Sequence, residues 1–253
     1  MSSMETARLP IFIGDAQIGS ALPAHAALCP AAAQLRITHN GFHLPQAGTA
    51  CNRALALWAD ALHTAGLLRA WRNERLSVAA LPPAHECLTQ LPQPLACLER
   101  GAARVLGVLT HAVHLVGLAP NGDVWLQRRA LTKSTDPGLW DTLSGGLLAA
   151  QDTLHSGMLR ETYEEAGLLE GDLSAVQVHG AVQQRRSVPD GLILEAVWTY
   201  SAVVNPNANP KNLDGEVMAF ACVSRHTLAE KVRAGLVSHE AVLALRMAGV
   251  LAD

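Results

Sequence analysis

Hydrophobic positions recur along this chain at two different spacings, and the change from one to the other marks its predicted elements. Near the start, the short apolar runs of IFIGDAQIGSA flank Gly14–Asp15 and predict a hairpin with those two residues as its turn. Within Asn52–Leu68, the residues Leu55, Leu57, Trp58, Ala61 and Leu62 fall three to four apart, which predicts a helix stopped at Gly66. Trp71–Val78 has the texture of a strand, and Pro94–Arg104 reads as a short connecting helix. Between them, LPPAHECLTQLPQP carries four prolines from Leu81 to Pro94, enough to prevent regular structure over much of that stretch. A domain boundary is expected just after it, near 95–105, dividing the chain into 1–100 and 101–253.

The second part alternates differently. THAVHLVGL (110–118) and VWLQRRA (124–130) flank Pro120–Asn121–Gly122–Asp123, and Asn-Gly between β-like runs is a strong hairpin signal. A helix over Thr153–Ala166 should end at Gly167. Ala175–Ser187 and Leu192–Val204 form a second strand pair around Pro189–Asp190–Gly191, and Val217–Val223 is a further strand. Helices over Thr227–Ala234 and Ser238–Leu251 close the chain. Hairpins and helices in this order predict an α/β (α+β) protein with a mixed sheet between helices, preceded by a small α+β domain.

Composition narrows the function classes. Hydrophobic residues are 49% and charged ones 16%, ample for a core, and Lys plus Arg number 19 against 22 Asp plus Glu. That balance argues against a nucleic-acid binder, which would need a clustered basic surface. The most apolar stretch, Val105–Leu118, is interrupted by His111 and His114 and falls short of the ~18–20 residues that span a membrane. MSSMETARLP has no basic segment followed by an apolar one, so no secretory signal is read there. The five cysteines are scattered without a close pair, which fits a reducing cytoplasm and no zinc site. A cytoplasmic protein with small-molecule partners is expected, and a homodimer is compatible with the sequence.

The informative stretch is GGLLAAQDTLHSGMLRETYEEAGL, residues 145–168. Glu161, Glu164 and Glu165 sit at i, i+3 and i+4 and so project from one helical face. Three mutually repulsive carboxylates call for a counter-charge beyond Arg160, and a hard divalent cation (Mg²⁺, or Mn²⁺ as a substitute) supplies it while bridging substrate phosphates. A solvated acidic face is the plain alternative.

Spacing decides between them. Gly146, Asp152, Arg160–Glu161, Glu164–Glu165, Gly167 and Leu168 resemble the Nudix box, with Asp152 in place of the usual Glu and Thr162 in place of an aliphatic residue. The resemblance implies an α/β/α sandwich around a mixed sheet and hydrolysis of a diphosphate linked to another group. It also implies that Glu161, Glu164, Glu165 and the Gly145 carbonyl hold the metal and that Arg160 orients the carboxylates. HAVHLVGL, WLQRRALTKSTDPGLWDTLSGG and NLDGEV (212–217) are further similar to the thiamine-pyrophosphokinase-related branch of Nudix proteins. IFIGDAQIGSA, LLRAWRNERLSV and LERGAARVLGV look like the N-terminal domain that such proteins often carry. This narrower resemblance implies thiamine diphosphate or its analogues as substrate, cleaved to a monophosphate plus phosphate.

Other residues extend the site. Arg128 and Arg129 are neighbours on a strand, so they face opposite ways, and Arg129 shares a face with Gln127. Arg129 and Lys133 are the expected phosphate clamps, in an arrangement with Pro137, Gly138 and Trp140 that also looks like isopentenyl diphosphate isomerases. Trp140 is expected to anchor its loop, although it or Trp198 would also be able to stack on a cationic ring. Glu195, interrupting LILEAVW, and Glu216, in Asp214–Gly215–Glu216, are candidates for a further metal ligand, a substrate contact or the base that activates water. The alternatives are an edge-strand carboxylate facing solvent for Glu195 and turn chemistry for Glu216. His111 and His114, on opposite faces of a strand, read as core or surface residues. Competing functions are hydrolysis of ADP-sugars or other nucleoside diphosphates and a non-catalytic ligand sensor. Isomerase chemistry needs a cysteine near Ser144–Gly145, and none lies between Cys97 and Cys222.

Overall fold

The computed structural model describes residues 7–84 and 86–252, so part of the segment read above for a secretory signal lies outside the described residues. Strands β1 (Leu9–Ile13) and β2 (Ala16–Ala21) form the hairpin about Gly14–Asp15, with Gly14 at φ 60° in the left-handed region that the turn requires. After the short helix α1 (Pro23–Ala26), strands β3 (Arg36–Thr38) and β4 (Gly41–Leu44) complete a four-stranded sheet in the order β2-β1-β4-β3. Helix α2 (Thr49–Thr64) buries Leu55, Trp58, Ala59 and Leu62 against it. Trp58 also donates its indole N–H to the His25 carbonyl at 2.9 Å, which satisfies the polar end of a fully buried ring.

Residues 94–104 are not the helix that their composition suggests. Strand β5 (Arg75–Ala79) pairs antiparallel with β6 (Pro94–Glu99), where Ala96 and Leu98 point inward at a spacing of two, and only then does a single 3-10 turn follow at Arg100–Ala102. Pairing across 14 intervening residues overrides a weak local helical preference. Among its described residues, the proline-rich stretch between them is irregular except at Leu88, which exchanges two backbone hydrogen bonds with Ala181.

The larger sheet is built from β7 (Leu109–Leu118), β8 (Val124–Arg129), the short β9 (Trp140–Asp141), β10 (Ser144–Leu147), β11 (Leu173–Val188), β12 (Gly191–Val204) and β13 (Val217–Val223). Helix α3 (Leu154–Ala166) joins β10 to β11, and α4 (Arg225–Arg233) and α5 (His239–Met247) follow β13. The main path runs β11-β12-β7-β8-β13, with β12 and β7 parallel and the rest antiparallel. Strand β7 changes partner along its second edge: Ala112–Leu115 pair with β10, then Gly117 and Leu118 pair with β8. A fork therefore opens between β8 and β10.

Alternation sorts the core into two layers. Val113, Leu115, Trp198 and Tyr200 pack with Met158 and Ala166 of α3, while Val116, Leu126 and Val197 pack with Leu228 of α4 and Ala241, Ala244 and Leu245 of α5. The result is a mixed sheet between helices, with a smaller sheet on the N-terminal side. Among the described residues, no helix is long and apolar enough to cross a membrane.

Candidate active site

Helix α3 presents its carboxylates by ordinary helix chemistry. Thr153 and Ser156 cap its start reciprocally, and Gly167, at φ 64°, ends it in a left-handed turn. The i, i+4 pair Glu161 and Glu165 points inward and is buried, whereas the Glu164 side chain is 45% exposed. Beneath them lies β10. The Gly145 N–H donates to Glu165 Oε2 at 2.8 Å, and Gln127 Nε2 donates to the same oxygen at 2.7 Å. Burial pushes the Glu165 carboxyl up to about 7 despite the opposing charge of Lys133 and these donors.

Arg160 ties the acidic face to its loop. Its guanidinium donates to Glu161 Oε1 at 2.7 Å, Glu164 Oε2 at 3.1 Å, Asp152 Oδ2 at 2.7 Å and the Leu147 carbonyl at 3.0 Å. The shorter Asp152 still reaches the loop, since Oδ2 accepts the Ala149 N–H at 3.0 Å. Thr162 is fully buried but not against an aliphatic wall: its hydroxyl is 2.9 Å from that of Ser144. Burial raises the Glu161 carboxyl above its usual value, and Arg160 opposes that rise.

Around the fork, the basic residues already have partners. Arg129 is buried and donates to Asp141 Oδ2 at 2.7 Å and to the Thr135 carbonyl at 3.2 Å. Arg128 is exposed on the opposite face and bonds the Gly138 carbonyl. Lys133 is hydrogen-bonded to Glu216, and its ammonium lies 3.5 Å from Glu165 Oε1. Partial burial opposes ionisation of Glu216, but Lys133 outweighs it and holds that carboxyl below its usual range. Trp140 is partly buried against the α4–α5 layer with Lys231 over its ring at 4.7 Å, so it anchors its loop. Trp198 has no exposed surface and donates to His111 Nδ1 at 3.1 Å, which removes it as a stacking platform.

Glu195 is not on a sheet edge. Strand β12 runs between β11 and β7, and the Glu195 carboxylate is buried, accepting from Thr110 Oγ1 at 3.1 Å and Gln184 Nε2 at 2.9 Å. Burial, reinforced by the nearby charge of Glu240, pushes it up to about 7. His114 is also buried, 3.5 Å from Asp141 and 3.8 Å from Glu240. Its burial opposes protonation, yet the hydrogen bond and charge of Asp141, with Glu240 and Glu195, raise its pKa.

Part of this set lines one cleft of about 300 Å³, at the small end of the range for small-molecule sites. Arg129, Lys133, Gly145, Gly146, Glu195 and Glu216 all line it, and Glu161 lies directly behind Gly146. Sequence reasoning missed His114 and Glu240 in its walls, and Asp141 behind them against His114 and Arg129; the i, i+2 set Thr110, Ala112 and His114 was the available sign that this histidine shares a face with cleft residues. It also missed Asp214, whose carboxylate oxygen lies within 4.8 Å of those of Glu165 and Glu216. A site of carboxylate oxygens without thiol or imidazole in the cluster suits a hard divalent cation.

Comparison with known proteins agrees with this architecture. Residues 109–243 match the NUDIX domain. The chain is 28% identical over 170 residues to the uncharacterized protein YJR142W of Saccharomyces cerevisiae, covering 60% of this chain and 47% of that one. It is 28% identical over 139 residues to the chloroplastic Nudix hydrolase 20 of Arabidopsis thaliana, covering 54% and 37% respectively. The chain thus spans less than half the length of both relatives. The crystal structure of DR0079 from Deinococcus radiodurans superposes with a TM-score of 0.51 at 19% identity, over 69% of this chain and 99% of that one, a likeness of fold. With more than half of its residues matched to that domain, the chain belongs to the Nudix family.

Proposed function

We propose that this protein is a Mg²⁺-dependent hydrolase that cleaves a small organic diphosphate to a monophosphate plus phosphate. The observation that carries the reading is the convergence of Glu161 and Glu165 on Gly145–Gly146 at the wall of a cleft that Lys133 and Arg129 also line. In this proposal Glu161, Glu164, Glu165 and the Gly145 carbonyl hold the cation. When bound, it neutralises charge on the diphosphate oxygens and favours ionisation of the attacking water. Arg160 fixes the rotamers of Glu161 and Glu164. Lys133 leaves Glu216 for a phosphate oxygen, and Arg129, held flat by Asp141, offers its remaining donors. Of the two carboxylates outside the box, Glu195 is the better base. Its carboxyl is pushed up to about 7, close to the pH at which it would work, whereas that of Glu216 is held down. The groups facing Glu195 are Thr110 on β7, Gln184 on β11, Glu240 on α5 and His114.

Within this reading the chain comprises an N-terminal domain, 1–100, and a catalytic domain, 101–253. Thiamine diphosphate and its oxidised analogues are the first substrates to test, because a cationic ring would be tolerated beside Glu195 and Glu240. Chromatographic measurement of the monophosphate products with and without Mg²⁺ is the test, at equal concentrations of these compounds, ADP-ribose and nucleoside triphosphates, because ADP-ribose would yield two monophosphates and no free phosphate. Glu164→Gln and Glu165→Gln should each lower the rate by roughly a thousandfold with unchanged circular dichroism. Wild-type turnover in both would overturn the ligand assignment. A kcat/KM at least about tenfold higher for ADP-ribose than for every thiamine compound would replace the substrate and leave the hydrolase standing.

A further inference from the structure

The cleft has a wall that the family match does not include. Arg69, Arg72, Arg100 and Arg104 line it from the N-terminal side, ahead of residue 109 where the match begins. They come from two segments, the connection from α2 to β5 and the 3-10 turn after β6, and these are stitched together. The buried Glu99 carboxylate accepts the backbone N–H of Arg72 at 2.7 Å and of Gly101 at 3.3 Å, and the Arg100 N–H donates to the Glu74 carbonyl at 2.8 Å. Gly101 allows this closeness, since a Cβ there would stand 2.3 Å from the Ala70 carbonyl oxygen.

The four arginines are not equivalent. Arg69 and Arg104 both reach Asp190, at 3.1 Å and 3.6 Å, and Arg104 also bonds Thr135, so these two fasten the wall to the loops around it. Arg100 forms an ion pair with Glu74 at 2.6 Å while its side chain remains 38% exposed. Arg72 is exposed, and its guanidinium makes no hydrogen bond or ion pair among the described residues. The cleft thus carries these arginines together with Arg129, Lys133 and the carboxylates of Glu195, Glu216 and Glu240. An anion with two charged centres, one met by the cation that the box carboxylates would hold and the other by the arginines, is the ligand that such a cleft would orient.

We propose that Arg72 and Arg100 form a phosphate-binding half-site contributed by the N-terminal part of the chain, gripping the phosphoryl group of the diphosphate that lies farther from the box carboxylates. The proposal rests on the reading of the cleft as a diphosphate site. It gives the N-terminal part a direct role in substrate recognition, because guanidinium groups offer paired donors that match phosphate oxygens. It also makes the cleft selective for ligands with a second phosphate over monophosphates.

Isothermal titration with methylenediphosphonate, a diphosphate analogue that cannot be hydrolysed, tests this in Mg²⁺ buffer alongside inorganic phosphate. Arg72→Gln and Arg100→Gln should each weaken methylenediphosphonate binding about tenfold or more, Arg100→Lys should recover part of the loss, and Arg53→Gln on the outside of α2 should bind as wild type. Thermal melting reports folding. Should Arg100→Gln unfold through loss of its pairing with Glu74, Arg72→Gln, which breaks no contact, decides. Unchanged affinity in Arg72→Gln and Arg100→Gln, or no binding by the wild type, overturns the proposal. A wild type that binds the analogue through these arginines yet hydrolyses no diphosphate in the panel refutes the hydrolase and keeps the half-site.

Discussion

Gly146 lies flat against the carboxylate of Glu161: a Cβ on its backbone would stand 2.3 Å from Glu161 Cδ and 2.4 Å from Oε2. A carboxylate is the mobile end of its side chain, so an added methyl would displace Glu161 rather than the strand. Gly146→Ala is expected to fold, with an unchanged far-ultraviolet spectrum, and to lose hydrolysis to nearly the extent of Glu161→Gln, about a thousandfold. Near-wild-type turnover in Gly146→Ala would mean that Glu161 is not required in its present position.

Arg128 and Arg129 should separate sharply. Arg129→Ala leaves the buried Asp141 without its guanidinium partner, at a cost of about 3 kcal/mol in urea unfolding. Arg128→Ala, on the exposed face, should stay within about 0.5 kcal/mol of wild type. Equal losses would contradict the two environments.

The buried Ser144–Thr162 hydroxyl pair predicts non-additivity. Thr162→Val alone strands the Ser144 hydroxyl and should destabilise by about 1–2 kcal/mol, whereas Ser144→Ala leaves Thr162 its contact with the Met158 sulfur at 3.7 Å and should cost less. The double variant should recover most of the loss, because neither partner is then left unsatisfied. Simple addition of the two losses would show that the hydroxyls do not depend on each other.

Stability below neutral pH should carry the signature of His111. Burial lowers its pKa to about 4, while Trp198 donates to Nδ1. The unfolded chain, with a histidine pKa near ~6.5, binds the proton more readily, so this contribution is complete above that pH and is lost as pH falls through about 4. It amounts to about 3 kcal/mol. Urea unfolding of wild type and His111→Gln between neutral pH and pH 4 should converge by about that amount, whereas parallel profiles would deny the histidine its role.

The elements readable in the sequence were those whose periodicity is local. The box helix, its Gly167 stop and the hairpins at Gly14–Asp15 and Pro189–Gly191 each follow from a few neighbouring residues. Strand β6 was misread because its partner β5 lies on the far side of the proline-rich stretch, and nothing local distinguishes Leu95–Leu98 from a helical turn. Glu195 looked like an intrusion in an apolar strand; the groups that accommodate it, Thr110 and Gln184, come from two other strands. Substitutions within the box were visible, but their compensation was not. Asp152 reaches Ala149 and Arg160 through the close turn of the loop, and Thr162 finds Ser144 only once β10 lies under the helix.

The pair of hydrogen bonds between Leu88 and Ala181 bears on how fragments of this protein will behave. Strand β11 is the outermost strand at its end of the sheet, with Val176 and Val178 exposed, and Leu88 is the backbone that caps it at Ala181. Gly180, at φ 92°, admits that approach, since a Cβ there would meet the Leu88 carbonyl at 2.7 Å. A fragment trimmed to the family match would begin at residue 109 and leave the amide and carbonyl of Ala181 open on an apolar border. Such a border recruits whatever extended chain is at hand, a second copy first of all. Light scattering should therefore find the trimmed fragment self-associating at concentrations where the whole chain does not, a solubility defect that would pass for loss of catalytic competence.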